Sequence, residues 1–123
     1  ETIFEQADIL TLHIPLTAET HHLASFSFFE RFAKSLTFLN LSRGKVVELG
    51  GLIQALDTKK VRAAALDVLE NEQFTTLTTL QKENYQNLFQ RNNVIISPHI
   101  GGWSFESLDN IHSEIVTIVG RFN

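Results

Sequence analysis

The chain reads as an α/β protein built on a parallel sheet, and three observations lead there. Short apolar runs recur at residues 9–13, 36–40, 63–68 and 94–97. Segments with apolar residues three and four apart fill the spaces between them. Proline stops the first run after ILTLH (Pro15) and the last after VIIS (Pro98). Strands that are apolar throughout and alternate with helices belong to parallel sheets covered by helices on both faces.

Each element has its own local warrant. Residues 9–13 are a strand too short and too apolar for a surface helix. Phe26, Phe29 and Phe32 recur at helical spacing within 25–33, with Ser25 in an N-cap position. LTFLN (36–40) is the second strand, and Gly44 follows it. Leu49, Leu52, Ile53 and Leu56 form one face of a helix over about 48–56. AAALDV (63–68) is the third strand, its small residues allowing a helix to pack close. Residues 78–90 read as a helix, and VIIS (94–97) as the fourth strand. The last element is an amphipathic helix from 104 to about 121, with Leu108, Ile111, Ile115 and Val119 on one side. The Phe26, Phe28, Phe29 and Phe32 cluster is assigned to core and subunit packing.

Composition narrows the functional classes. At 123 residues the chain is long enough for one small domain with a core, and 43% hydrophobic with 20% charged is ordinary for a globular protein. A net charge of -4 with no basic stripe argues against nucleic acid as a partner. No apolar run is long enough to cross a membrane, and ETIFEQAD lacks the pattern of a signal peptide. Cysteine is absent, which removes disulfides and thiolate metal sites and agrees with a cytoplasmic setting. Methionine is absent even at position 1, and the chain ends at VTIVGRFN within the last helical segment. Both features lead to the expectation of a piece of a longer polypeptide.

In parallel sheets, ligands bind beyond the carboxyl ends of the strands. Pro15, Arg43, Asp67 and His99 all fall at that edge. Three short strings there carry chemistry: NLSRGKVVE (40–48) with Arg43, LDVLENE (66–72) with Glu72, and PHIGGW (98–103) with His99. A planar guanidinium holds a carboxylate through two parallel hydrogen bonds, which lysine cannot reproduce. A histidine titrates near neutrality and moves a proton, and a carboxylate on its other ring nitrogen fixes its tautomer. Together they equip a site to reduce a 2-keto acid or oxidise a 2-hydroxy acid.

Taken singly, each residue also has an ordinary reading. His99 could cap a turn or sit in the core, Arg43 could pair with Glu48, and Glu72 could be a solvated loop acid. Asp67 could cap a turn, and Gly101 and Gly102 could merely enter a helix. Trp103, beside them, is open to three readings: a pocket wall, an interface anchor or plain packing. His21 and His22 carry no metal expectation, since adjacent side chains point apart and no carboxylate cluster accompanies them. The remaining histidines, His13 and His112, suggest no metal site either. The six glycines form no G-x-G-x-x-G turn, so the pyrophosphate-binding half of any dinucleotide-binding sheet is not in this chain.

LHIPLTAET (12–20), FLNLSRGKVVE (38–48), AALDVLENE (64–72) and NVIISPHIGGWS (93–104) resemble, in order, successive signatures of the D-isomer-specific 2-hydroxyacid dehydrogenases, the phosphoglycerate dehydrogenase-like family. The resemblance spans nearly the whole chain. It implies that residues 1–123 are the second half of an NAD-binding domain, a Rossmann-type doubly wound sheet. The glycine-rich first half and the substrate-binding domain would then lie elsewhere. It further implies catalytic roles for Arg43, which would hold the substrate, for His99 as the proton donor or acceptor, and for Glu72 as its partner. Pro15, Leu16, Leu41, Ser42, Arg43, Asp67, His99, Gly101 and Gly102 would line the cofactor. The implied cofactor is NAD, with NADP left open, and the implied substrate a small 2-keto or 2-hydroxy acid. A homodimer is implied as well. Glu48 stands where aspartate is more usual and Gln73 where proline is, and neither change removes a catalytic group. Nucleotide-sensing, partner-binding corepressors share this fold and form the second functional class.

Overall fold

The computed structural model describes residues 2–121; Glu1, Phe122 and Asn123, the last two at the end of the expected C-terminal run, lie outside it. Four strands, β1 (Ile9–Leu12), β2 (Leu36–Asn40), β3 (Val61–Leu66) and β4 (Val94–Ile96), pair in parallel in the order β1-β2-β3-β4. Five helices accompany them: α1 (Thr2–Gln6), α2 (Phe26–Glu30), α3 (Leu49–Asp57), α4 (Thr79–Phe89) and α5 (Phe105–Gly120). Single 3-10 turns lie at Gly44–Val46 and Phe74–Thr76.

Strand order identical to chain order has a geometric consequence. Parallel crossovers share one hand, so a sheet that grows in one direction receives every crossover helix on one face. The structure follows this rule: α2 packs on α3, α3 packs on α4, and α3 and α4 pack on β3 and β4. The expected cover on both faces is therefore met on one face only. Leu10, Leu12, Leu36, Phe38, Ala64 and Leu66 point into the helices and are buried. On the other side Ile9 is 64% and Ile95 72% exposed, and Leu39, Ala63 and Ala65 are half-buried. A second helical layer needs strands added beyond β1 in the opposite direction.

The core is aromatic at its centre. Phe29 and Phe38 meet edge to face at 5.1 Å, and both are fully buried. Phe32 is buried beside them, while Phe26 and Phe28 are partly buried against the cluster. Phe4 of α1, an element absent from the sequence reading, closes on Phe32 at 4.8 Å, with the Arg31 guanidinium 3.8 Å over its ring. On α3, Leu49, Leu52 and Leu56 are buried and Ile53 partly so, as the helical spacing predicts. Gly51 in its first turn is required by close approach, since a Cβ there would lie 2.5 Å from the Phe26 backbone nitrogen.

Boundaries differ where a single polar residue decides them. α2 ends at Glu30, short of the expected residue 33, and the Lys60 ammonium donates to the carbonyls of Glu30 and Phe32. β3 starts at Val61 because Arg62, which interrupts the apolar run, lies exposed and donates to the Thr37 hydroxyl. Ser25 occupies the N-cap position of α2, but its hydroxyl pairs with Ser27 and does not cap. Thr78 and Gln81 make a complete capping box on α4, and Ser104 caps α5 through the Ser107 N–H. Among the described residues, no helix is long and apolar enough to cross a membrane.

The apolar face of α5 is present as expected but buries nothing: Leu108, Ile111, Ile115 and Val119 are all exposed. Stability should divide accordingly. Phe38→Ala is expected to cost about 3–5 kcal/mol in urea unfolding, as for a buried aromatic truncated in a closed core. Ile115→Ala should change the unfolding free energy by less than about 0.5 kcal/mol in the same titration. Equal losses would show that α5 packs on the sheet in solution.

Candidate functional site

The four strands end level, and the ladder continues one residue beyond them. Asp67 N–H donates to the Asn40 carbonyl and Ser97 N–H to that of Leu66, each at 3.0 Å. The loops that follow, 41–43, 67–72 and 97–102, therefore leave the sheet side by side. They open into a cavity of about 670 Å³ lined by Leu16, Arg43, Glu70, Glu72, Gln73 and His99 among others. A smaller cavity of about 300 Å³ lies across the His99–Glu72 pair, walled by Phe74, Phe89 and Ile96.

Asn40 and Asp67 are the two buried polar residues that shape this edge. Asn40 Oδ1 accepts from the Ser42 N–H at 3.1 Å and hydroxyl at 2.8 Å, while its amide donates to the Arg43 carbonyl at 3.0 Å. The turn that presents Arg43 is thus folded around one amide. Asp67 accepts from the Ser97 hydroxyl at 2.6 Å, Ile100 N–H at 2.9 Å and Gly101 N–H at 2.8 Å. Burial pushes its carboxyl pKa up, but hydrogen bonds from Ser97, Gly101 and Ile100, helped by nearby His99, outweigh it and hold the value low.

His99 sits between those donors with a φ of 57°, in the left-handed region. Its Nδ1 lies 3.0 Å from Glu72 Oε2, and Glu72 Oε1 accepts from the Leu69 N–H at 3.2 Å. An ionised carboxylate only accepts, so Nδ1 carries the hydrogen and Nε2 is left for other work. Both side chains are near half exposed. A pair so placed adds at most about 1 kcal/mol to stability, while left-handed backbone on a non-glycine residue costs about 1–2 kcal/mol. The pair by itself does not offset that cost; the hydrogen bonds of Ser97, Ile100 and Gly101 to Asp67 hold the loop in place.

Arg43 lines the same cavity, its Nη1 resting on the Ser42 carbonyl at 2.7 Å and not on Glu48. Leu16 and Leu41 are exposed at the same edge. Pro15 is exposed, its carbonyl accepting from the Thr20 hydroxyl, and it does not line the large cavity. Gly101 is packed so tightly that a Cβ would meet Asp67 Oδ2 at 2.9 Å, whereas a Cβ at Gly102 would meet nothing within 4 Å beyond its chain neighbours. Trp103 stands 76% exposed.

Three participants escaped the sequence reading. Asn40 closes an apolar strand, and a buried amide before Ser-Arg-Gly was its signal. Gly44 lies against the 69–70 backbone, where a Cβ would run into the Leu69 carbonyl. Tyr85 is buried on α4 and grips the Glu72 loop, its hydroxyl accepting from Asn71 N–H and donating to the Asn71 carbonyl. Burial, with Glu70 and Glu72 nearby, raises its pKa and keeps that hydroxyl a donor. One expectation is corrected: the rings of His21 and His22 do not diverge. Their centroids lie 4.0 Å apart with the rings tilted by 32°, and His22 has left-handed backbone (φ 54°). No three metal-ligating side chains converge among the described residues.

The chain is thus a parallel α/β protein with a histidine, a carboxylate and an arginine at the carboxyl edge of its sheet, where such folds bind their ligands. Residues 1–101 match the family model for the D-isomer specific 2-hydroxyacid dehydrogenase, NAD binding domain, and the chain belongs to that family. Glyoxylate/hydroxypyruvate reductase B of Enterobacter sp. (strain 638) is 38% identical over 116 residues, covering 94% of this chain and 33% of the relative. The D-lactate dehydrogenase of Aquifex aeolicus, solved with NAD and lactic acid, superposes with a TM-score of 0.79 at 30% identity, over 98% of this chain and 38% of that one. The NAD-complexed D-isomer specific 2-hydroxyacid dehydrogenase of Lactobacillus delbrueckii ssp. bulgaricus gives 0.78 at 32% identity, over 94% and 37%. The chain thus spans about a third of the length of the relatives it matches.

The Asp67 cluster makes a pH-dependent prediction. A carboxyl whose pKa is lowered on folding stabilises the fold above its unfolded value, and that contribution is lost as pH falls through the folded value. Asp67→Asn should cost about 1–3 kcal/mol at pH 7, since the new amide leaves a buried donor unmatched. The gap to the parent should narrow as pH falls below about 4, the ordinary carboxyl value at which the unfolded chain takes up its proton, and further as pH passes through the lower folded value. A gap constant from pH 7 to pH 3 in urea titrations would count against the ionised cluster.

Proposed function

We propose that this chain supplies the nicotinamide side of an NAD-dependent oxidoreductase that interconverts a D-2-hydroxy acid and its 2-keto acid. The observation that carries the reading is the His99–Glu72 pair, strained and half exposed, sharing a cavity with Arg43. The cofactor, when bound, supplies or accepts the hydride. The residues fit that end of it: Leu16 and Leu41 offer apolar surface to a flat ring, and the space above Gly102 is open. No glycine turn for a pyrophosphate is in the sequence, so this chain by itself should bind the cofactor poorly.

In this reading Arg43 binds the substrate carboxylate through its guanidinium fork, which orients the neighbouring carbonyl toward His99. His99 gives a proton from Nε2 to the carbonyl oxygen as negative charge builds there, or takes it back in the reverse direction. Glu72 holds Nδ1–H and stabilises the imidazolium, as an orienting carboxylate does in other proton relays. Asp67 spends its lone pairs on Ser97, Ile100 and Gly101, so its role is chiefly to hold the His99 loop. A small 2-keto acid as substrate, a homodimer and a cytoplasmic setting belong to the same proposal. The uncovered apolar face of α5 supports burial against further protein.

Two variants of the full-length protein test the assignment. His99→Ala should lower turnover of glyoxylate, hydroxypyruvate or pyruvate by about a hundredfold or more while NADH affinity by fluorescence titration is retained. Full activity in that variant would remove His99 from the chemistry. Arg43→Lys should lower kcat/KM for the keto acid by about tenfold or more, because a point charge replaces a fork. Unchanged kcat/KM would reassign the carboxylate to another cation.

A further inference from the structure

A second histidine–carboxylate pair lies in the same cavity as the first. His22 Nε2 is 2.8 Å from Glu70 Oε1, and Glu70 Oε2 faces the Leu49 N–H, at the start of α3, at 3.4 Å. This pair is the more sheltered of the two, with side chains 35% and 19% exposed against 51% and 43% for His99 and Glu72. His22 is held rigidly where it stands. Its N–H donates to the Lys45 carbonyl at 2.9 Å, and Ala24 and Glu48 continue the clip to Val46 and Ala24 at 3.0 and 3.2 Å. No role assigned above uses either residue.

Glu70 and Glu72 belong to one short loop, with Asn71 between them. Tyr85 grips Asn71 from the α4 side, and Glu70 is tied from the α3 side. The next residue of the loop after these two anchors is Glu72, whose Oε1 accepts from the Leu69 N–H at 3.2 Å. We infer that the His22–Glu70 pair is a latch that fixes the Glu72 loop and through it the tautomer and aim of His99. His22 and Glu70 are then positioning residues, remote from the reacting atoms. The inference rests on the reading of Glu72 as the partner of His99.

The test uses the full-length protein with 15N-labelled histidine, the His99 signals being assigned by their loss in His99→Gln. In the parent, neutral His99 carries its proton on Nδ1. Glu70→Ala and His22→Ala should each move the signals toward the Nε2–H form. Glu70→Gln keeps an acceptor for Leu49 and a partner for His22, and should retain the parent pattern. In steady state the alanine variants should lose about tenfold or more in kcat with KM for the keto acid nearly unchanged, and Glu70→Gln should restore it. Glu70→Ala added to Glu72→Gln should cost little more, because the two act through one contact. An unchanged His99 tautomer in folded alanine variants, or a fully additive double variant, overturns the latch. If Glu70→Ala does not fold, His22→Ala, which leaves Glu70 on the Leu49 amide, decides by the same readouts. Absence of turnover with every keto acid in the parent would sink the dehydrogenase reading, while the 15N signals would still decide the latch.

Discussion

A carboxylate buried at the end of a strand must find donors or lose its charge. Asp67 finds three in the loop after β4, one hydroxyl and two backbone N–H groups. That demand forces the chain from Ser97 to Gly101 to curl around it. His99 lies inside the curl, with Ser97 on one side and Ile100 and Gly101 on the other. Its left-handed backbone follows from the neighbours' bonds and not from any preference of its own. The position of the imidazole is thus set by an anion that does not touch it.

Asn40 performs the corresponding task one strand away. It is neutral, and its target turn needs both an acceptor for Ser42 and a donor for the Arg43 carbonyl. An amide supplies both and a carboxylate supplies only one. The two strand ends therefore differ in chemistry for a local reason. Joined by the Asp67 N–H to Asn40 carbonyl bond, they form one rigid floor from which Arg43 and His99 rise together.

The sequence was most legible where periodicity and composition carry the signal. All four strands, the buried face of α3 and the convergence of Arg43, Glu72 and His99 at one edge could be read from spacing and motif. It was least legible where one long-range contact decides the outcome. Lys60 donates to the carbonyls at the end of α2, Arg62 enters β3 despite its charge, and Phe4 of the short N-terminal helix packs on Phe28 and Phe32. The approach of the His21 and His22 rings goes with a positive φ at His22 that the residue types do not announce. Cover on both faces was expected from apolar strands, yet strand order decides it, and order is not written in any single strand.

These features separate the part of the molecule that folds it from the part that would act. The aromatic core lies between the sheet and α2 and α3, with no unsatisfied buried polar side chain among the described residues. The site lies at the strand ends, where side chains are half exposed and individually worth little to stability. Between them stand Asn40 and Asp67, each packed in the core layer on one side and bonded to a site loop on the other. Because these two carry the mechanical connection, the loops can hold strained geometry without drawing on the hydrophobic core.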